Sequence, residues 1–405
     1  MKSSAIKHPL NLASQDFITN QLAYYRWLRE EAPVYRGRMS VLRLWFVSRY
    51  DDCVALLKDE RFVRNRTTAT GGGRLPFPLP KSTSLLIKSM IVEDGAEHRR
   101  LRNLVHQAFT PSRLRKLQER IERLSHELLD RVADQSQVDL MTAYARPIPV
   151  TVIGEMVGVS GDDVPLFARY IQALATGFSG WRVLRALFWD LPRAGKFARE
   201  LIRRKRTHPG DDILTGLIEA EENGDQLSED ELVGMVFLLI MAGHETTVHL
   251  ITNAVQTLLT HPDQLQRLQA EPALLESAVE EIMRFNGPIH ATKPGYALED
   301  VTLHGVTIPQ GAAVMPLIGA ANHDPTAFED PETFDIARAP NKHLGFGHGI
   351  HYCLGAPLAR METQIALKTL FDRYPNLRLA IPAEKLKLQF MPGWHRYESL
   401  PVQWQ

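Results

Sequence analysis

A single helical pattern near the middle of the chain constrains the fold more than any other feature. Ser228 followed by Glu231 is a capping box, the spacing at which a serine and a glutamate close the first turn of a helix. Helical periodicity then continues to Thr260, just before His261-Pro262. At about 1.5 Å per residue, a helix of about 30 residues is roughly 45 Å long. The other elements must pack around a helix of this length.

The apolar part of this helix is shorter than a membrane span. Residues 232–243 form an apolar run of twelve residues, whereas a transmembrane helix needs about 20. Polar side chains follow at once, at His244, Glu245 and Thr246. We therefore expect a buried helix through the protein core and no integral membrane segment.

Composition excludes several other classes of protein. The 405 residues include 47 basic and 47 acidic side chains, so the formal net charge is zero and the basic footprint of a nucleic-acid binder is missing. Only two cysteines are present, Cys53 and Cys353, too few for a disulfide-stapled secreted protein. The first residues show no apolar signal segment. We expect a cytoplasmic protein with no nucleic-acid partner.

Local patterns predict a mainly α chain with a minor β region, the α+β class. Short runs rich in Val, Leu, Trp and Phe indicate strands, and Gly and Pro separate them in the last third. Helices are predicted over 16–31, 50–58, 96–109, 111–135, 164–174, 194–204, 273–285 and 356–373, strands over 41–47, 297–303 and 377–381, and a long loop over 67–81.

Residues 346–355, the cysteine loop, form the most informative segment, in which glycines surround Cys353. Glycine permits close backbone approach, and a helical pattern starts at Ala356, so Cys353 precedes a helix N-terminus that favours a thiolate. A zinc site is disfavoured because no second cysteine is nearby. A buried inert cysteine and a nucleophile assisted by His351 are the alternatives.

The cysteine loop resembles the haem-binding signature of the cytochrome P-450 family, F-x-x-G-x-H-x-C-x-G. The resemblance spans essentially the whole chain. It implies the cytochrome P-450 fold as a single domain over residues 1–405, with the long helix over a haem and the cysteine loop beneath it. It implies that Cys353 is the axial ligand of the haem iron, and that the loop contacts the cofactor through Phe346, Gly347, His351 and Gly355.

A second motif lies midway along the long helix. Residues 242–247, AGHETT, resemble the oxygen-activation motif of the family, [AG]-G-x-[DE]-T-[TS]. A threonine inside a helix can bond the carbonyl four residues earlier and loosen the backbone ladder. The resemblance implies that Ala242 and Gly243 contact the cofactor and that Glu245 and Thr246 are the catalytic acid–alcohol pair that delivers protons. An exposed polar patch is disfavoured because the preceding residues are apolar.

Two charged motifs extend the resemblance. Glu281 and Arg284 match E-x-x-R, and Arg338 lies in the segment that usually adds a second arginine, so a triad with a structural role is implied. His98 and Arg102 resemble the H-x-x-x-R helix that binds haem propionates.

One position departs from the family pattern. Close relatives usually carry a propionate-binding arginine where this chain has Gly295. Because side chains alternate along a strand, Lys293 would share the face of residue 295. Lys293, or an ordered water, is the predicted replacement.

By resemblance the chain is a monooxygenase that inserts one atom of O2 into a hydrophobic small molecule, by hydroxylation or epoxidation, in natural-product or secondary metabolism. Haem b is the implied cofactor. NAD(P)H is expected to act indirectly, through a separate ferredoxin and ferredoxin reductase, and the protein is expected to be a monomer. The substrate pocket is predicted to include Leu238, Met241, Ala242, Ile289, Ala291 and Met391.

Two other functions stay open at this point. One is a peroxide-driven peroxygenase of the same fold, against which the intact Glu245–Thr246 pair argues. The other is a haem-thiolate sensor without oxygenation, against which the lack of a recognisable output domain argues.

Overall fold

The fold is known from a computed structural model, which describes residues 6–72, 89–108, 111–161, 163–176, 185–222 and 227–404. Helices dominate this part of the chain, and three small sheets accompany them. The predicted mainly α class with a minor β region is confirmed.

The long helix runs from Glu229 to Thr260 and is called the central helix below. Its first turn is closed as predicted: the Glu231 carboxylate accepts the Ser228 N–H at 2.6 Å, and the Ser228 hydroxyl accepts the Glu231 N–H at 3.3 Å. By length and composition the helix would pass for a membrane span, yet 61% of its apolar window is buried inside the protein. It is therefore a core element, around which the largest apolar cluster is packed.

Two further helices carry predicted site residues. The helix Gly95–Ala108 is called the histidine helix, and Ala356–Arg373, which begins and ends as predicted, is called the C-terminal helix. The C-terminal helix packs against Pro111–Asp130 and against the central helix. The other α-helices are Gln15–Thr19, Gln21–Glu31, Tyr50–Lys58, Arg66–Thr70, Pro147–Met156, Asp163–Thr176, Leu191–Thr207, Ile213–Glu222, Pro262–Ala270, Leu275–Asn286 and Ile318–Ala321.

The sheets are built from short strands. They are β1 Val34–Met39, β2 Leu42–Val47, β3 Phe62–Val63, β4 Gln137–Asp139, β5 Gly295–Ala297, β6 Val301–Leu303, β7 Val306–Ile308, β8 Ala313–Pro316, β9 Arg378–Leu379 and β10 Pro401–Gln403. The largest sheet has the order β1-β2-β8-β5-β3, and the smaller sheets are β4-β10-β9 and β6-β7.

Several predicted boundaries are corrected. The helix predicted over 16–31 is interrupted at Asn20, whose side-chain amide donates to the carbonyl of Asp16 at 3.0 Å. The strand predicted over 297–303 is two strands, because the chain turns where the Asp300 carboxylate accepts the Gln310 N–H at 2.8 Å. The loop predicted over 67–81 starts inside the helix Arg66–Thr70, and from residue 73 it lies outside the described residues.

Candidate active site

The cysteine loop is shaped by glycines and by one backbone bond. The Cys353 N–H donates to the carbonyl of Phe346 at 2.9 Å. Gly347 and Gly349 adopt positive φ angles of 75° and 70°. A Cβ at Gly349 would lie 2.4 Å from the Leu57 carbonyl oxygen, so only glycine lets the loop lie this close to the helix Tyr50–Lys58. These contacts fix the position of the cysteine.

The Cys353 side chain is exposed, whereas Cys53 is buried. Burial nevertheless raises the pKa of the Cys353 thiol, while the N–H groups of Gly355 and Ala356 and the charge of Arg102 act to lower it. A side chain that is accessible and yet desolvated lies on the wall of a recess. Burial and the helix N-terminus therefore act on this thiol in opposite directions. The predicted thiolate at Cys353 stays a prediction.

One stripe of the central helix stays accessible although most of the helix is buried. Leu238, Met241, Ala242, Glu245 and Thr246 are partly or fully exposed, at the spacing of a single helical face. Because most of the other residues of the helix are buried, this stripe is its accessible face in the middle of the protein. The stripe contains five residues predicted to act in catalysis, cofactor contact or substrate contact.

The sixth residue predicted on the central helix lies elsewhere. Gly243 faces the helix Pro147–Met156, and a Cβ there would lie 3.1 Å from the Ile153 Cδ1 atom. Its small size serves close packing of two helices. The structure therefore gives Gly243 a packing contact, and its predicted contact with the cofactor stays a prediction.

Thr246 makes the bond predicted from the motif. Its hydroxyl donates to the carbonyl of Ala242, four residues earlier, at 2.7 Å. The central helix remains continuous across this turn. The Thr246 side chain is thus accessible, while its hydroxyl donates to the backbone carbonyl of Ala242.

The Glu245 carboxylate lies within a set of basic side chains. Its Oε2 atom is 3.3 Å from Arg396 Nη1 and 3.3 Å from His249 Nε2, and Oε1 is 3.6 Å from His244 Nε2. Burial acts to raise the pKa of Glu245, but the neighbouring histidines outweigh it and hold the pKa well below its usual range. In this arrangement Glu245 is ionised.

Two histidines predicted to bind propionates face each other. His98 is buried, and its ring centroid lies 4.3 Å from that of His351, edge to face. Burial lowers the pKa of His98 to about 4 and lowers that of His351 as well. Within the described part of the chain, His98 Nδ1 and His351 Nε2 have no hydrogen-bond partner. The site thus contains two buried ring nitrogens that could form hydrogen bonds with a ligand.

Cationic side chains lie around the two histidines. Arg102 has no ion-pair partner among the described residues, and its charge lowers the pKa of His98. Lys293 Nζ lies 3.4 Å from the Ile91 carbonyl oxygen, and burial lowers the pKa of Lys293 to about 8. Asp94 Oδ1 lies 3.6 Å from His351 Nε2. This cluster suits an anionic group.

The predicted pocket residues outside the central helix meet along two backbone segments. Ile289 forms an isolated bridge with Trp394, and the N–H of Ala291 donates to the carbonyl of Gly393 at 3.0 Å. The Met391 carbonyl accepts the Trp394 N–H at 3.1 Å. Ile289, Ala291 and Met391 are all partly exposed, so each presents side-chain surface.

The structure brings Glu281, Arg284 and Arg338 together as the motif implied. Arg284 makes two bonds of 2.8 Å to Glu281, and Arg338 Nε donates to Glu281 Oε1 at 3.2 Å. The side chains of Glu281 and Arg284 are fully buried. Arg284 also donates to three carbonyl oxygens, so the triad ties the helix Leu275–Asn286 to the segment 322–338.

Comparison with known proteins decides the family. The family model for cytochrome P450 matches residues 193–377. The chain is 43% identical to cytochrome P450 107B1 of Saccharopolyspora erythraea over 383 residues, 93% of each protein. This chain belongs to the cytochrome P450 family. It is also similar to the mycinamicin IV hydroxylase/epoxidase of Micromonospora griseorubida, with 40% identity over 94% of each protein.

A solved P450 structure has the same fold. P450BioI, in complex with an acyl carrier protein ligated to hexadec-9Z-enoic acid, superposes with a TM-score of 0.88 at 37% identity, covering 97% of this chain and 100% of that chain. The predicted P450 fold is confirmed, and the chain is a P450 monooxygenase, an enzyme class that uses haem and O2.

The residues of the site fit a haem. Haem carries two carboxylate groups, and the cluster around His98 and His351 offers buried nitrogens without partners and cationic side chains. Among the described residues no three His, Cys, Asp or Glu side chains converge as a metal site. A P450 holds haem iron through a single cysteine, and Cys353 as that ligand stays a prediction.

The sequence motifs missed three polar residues of this P450. Arg64, after β3, has a buried Nη1 atom without a partner among the described residues. Arg396 contacts Glu245 from far along the chain. Glu362, on the C-terminal helix, is buried beside Thr247, and burial raises its pKa to about 8. Arg64 and Arg396 stand outside any recognised motif, whereas Glu362 was hidden in a regular helical pattern.

Proposed function

We propose that this P450 inserts one atom of O2 into a hydrophobic small molecule of natural-product or secondary metabolism. The accessible stripe on the central helix carries the proposal, because a helix otherwise enclosed by protein presents Leu238, Met241 and Ala242 beside Glu245 and Thr246. Apolar side chains there bind a hydrophobic substrate next to the groups that handle protons. The mycinamicin relative, which is a hydroxylase/epoxidase by name, supports either product type.

The cofactor in this proposal is haem b, bound through Cys353. When bound, it supplies the reductive activation of O2. The chain supplies the recess, the sulfur ligand and the carboxylate-binding cluster of His98, Arg102 and His351. The loop contacts of Phe346, Gly347 and Gly355, and the cofactor contacts of Ala242 and Gly243, belong to the same proposal.

Proton delivery is assigned to Thr246 and Glu245. The Thr246 hydroxyl, which now donates to Ala242, turns towards the recess and donates there instead. Glu245 is ionised beside Arg396, His244 and His249, so it must accept a proton before it can pass one to Thr246. The pair therefore works as a relay in which the Glu245 carboxylate is protonated and deprotonated again at each turnover.

The electron donors are separate proteins, a ferredoxin and its NAD(P)H-dependent reductase. Arg99, exposed on the histidine helix, is available to meet an acidic partner. The adjacent Arg100 serves a different role, since it pairs with Glu97 at 2.5 Å and Glu231 at 2.6 Å. We further propose a single-domain monomer that works in the cytoplasm.

Spectroscopy of the purified protein tests the reaction class. Reduced under carbon monoxide, the wild type gives the strongly red-shifted Soret band of a thiolate haem, and Cys353→Ala does not. Substrate candidates are then screened by the shift of the Soret band on binding. Turnover with ferredoxin, reductase and NAD(P)H supports the proposal.

Two outcomes would replace the proposal with one of the other functions. Turnover with hydrogen peroxide alone, and none with the electron-transfer proteins, would make the protein a peroxygenase. A thiolate haem that binds carbon monoxide but oxidises none of the ligands that shift its Soret band would make it a sensor.

A further inference from the structure

Arg64 is an unusual cation because part of its guanidinium is buried without a partner. Its Nη1 atom has no hydrogen bond within the described residues. Burial lowers the pKa of Arg64, although the charge of Asp94 acts in the opposite direction. The Asp94 carboxylate is bound by backbone, since it accepts the N–H groups of Arg64 and Asn65 at 2.8 and 3.0 Å. A guanidinium nitrogen that is buried without a hydrogen bond favours a nearby anion.

The strand register indicates that Arg64 and Gly295 are neighbours on adjacent segments. Strand β3 pairs antiparallel with β5, with Phe62 opposite Ala297 and Val63 opposite Tyr296. Strand β3 ends at Val63, and Arg64 and Gly295 are the next residues along this register. Side chains at opposite positions of an antiparallel pair project from the same face of the sheet. Continued by one step, the register would therefore place the side chain of Arg64 on the same face as a side chain at 295.

Position 295 itself has little room for a side chain. A Cβ there would lie 3.2 Å from the Phe62 Cβ atom, on the neighbouring strand. This contact is tighter than ordinary van der Waals packing, so a side chain at 295 would require Phe62 to shift by a few tenths of an ångström. Glycine at 295 and arginine at 64 are thus compatible with each other.

Arg64 belongs to the cluster around the two histidines. It lies near enough to His351 and Lys293 for its charge to act on both side chains. The acidic groups that face these residues are Asp94 and Glu93, and burial raises the pKa of Glu93. With Arg102, the cations outnumber the acids. Within the described residues His98 Nδ1 and His351 Nε2 accept or donate no hydrogen bond, although His351 Nε2 lies 3.6 Å from Asp94 Oδ1. The cluster is therefore poised for additional carboxylates.

We propose that Arg64 binds a propionate of the haem, and that it replaces, from the neighbouring strand, the arginine that Gly295 displaces. Lys293 then has a secondary part, because its amine already contacts the Ile91 carbonyl oxygen. The inference rests on haem being the cofactor and is independent of the substrate and of the proton relay.

Haem loss from the purified holoenzyme tests the proposal. Arg64→Ala is compared with the wild type and with Arg66→Ala, an exposed arginine two positions along the chain. Transfer of haem to excess apomyoglobin is followed at the Soret band. Loss of one charge-assisted hydrogen bond predicts a dissociation rate about 10- to 100-fold higher for Arg64→Ala. Arg66→Ala keeps the wild-type rate.

The haem reduction potential separates a charge contact from a purely structural role. Removing a cation beside a propionate shifts the potential to a more negative value in Arg64→Ala, whereas Arg64→Lys keeps the charge and the wild-type potential. If Arg64→Ala does not fold, the comparison is made with Arg64→Gln. Haem loss at the wild-type rate with an unchanged potential overturns the Arg64 assignment. A wild type without the thiolate band would instead overturn the proposed function.

Discussion

Removal of Arg284 should destabilise the protein far more than removal of a surface arginine. The Arg284 guanidinium donates to both Glu281 oxygens and to the carbonyls of Asn322, Pro331 and Thr333, at distances from 2.8 to 3.1 Å. Both partners of the ion pair are fully buried. Arg284→Ala therefore leaves a buried carboxylate with fewer donors and removes one donor from each of three carbonyls, of which Thr333 keeps another from Arg338 at 3.0 Å.

The magnitude follows from what remains in the mutant. Removing one partner of a buried ion pair costs about 3–5 kcal/mol. Glu281 keeps bonds from Arg338, from the Asn341 amide at 3.0 Å and from the Asp335 N–H at 3.1 Å. These bonds compensate part of the lost charge, so the expected loss of unfolding free energy is at the lower end, about 3 kcal/mol.

The control is Arg267→Ala, because Arg267 is exposed and pairs with Asp335 at 3.2 Å. Exposed ion pairs contribute about 0–1 kcal/mol. Urea unfolding of the haem-loaded variants, followed by far-ultraviolet circular dichroism, measures both losses. An Arg284→Ala loss no larger than that of Arg267→Ala would refute the assignment of a stabilising role to the triad.

Three further outcomes are expected. Thr246→Ala should leave the carbon monoxide spectrum unchanged while product per NAD(P)H falls several-fold, and unchanged coupling would remove the relay role of Thr246. Lys293→Ala should release haem faster than wild type but more slowly than Arg64→Ala, and haem as tightly held as in wild type would exclude the lysine contact. Glu362 keeps its proton in the folded state up to about pH 8, whereas the unfolded chain loses it near pH 4.5. As the pH rises between these values, the free energy of unfolding therefore falls by up to about 1.4 kcal/mol per pH unit. Glu362→Gln should lack that decline in urea unfolding, and parallel pH profiles would contradict the raised pKa.

Local sequence signals predicted the helices whose starts are marked by a capping box or by a glycine-rich loop. The capping box located the start of the central helix, and the glycine-rich cysteine loop located the start of the C-terminal helix at Ala356. Strand β2 was predicted because its apolar run is dense. Its partner β1 was missed because Arg36, Gly37 and Arg38 interrupt the pattern, and pairing with β2 makes it a strand.

The site was predictable where residues share a motif and unpredictable where contacts cross the chain. Glu281 and Arg284 lie one helical turn apart, so their contact could be read from spacing. Glu245 and Arg396 are 151 positions apart and meet only through the fold. Arg64 follows a strand of two residues, and its place near Gly295 depends on a sheet register that no local pattern encodes.

The carboxylate of Glu231 has a mechanical consequence. One of its oxygens closes the first turn of the central helix, and the other holds Arg100 on the histidine helix. A tilt of the first turn therefore pulls on the helix that carries His98 and Arg102. A substrate that displaces the first turn of the central helix would move Glu231 and, through it, Arg100. The displacement would then reach the cluster of His98, Arg102 and His351 without any direct contact between the substrate and that cluster.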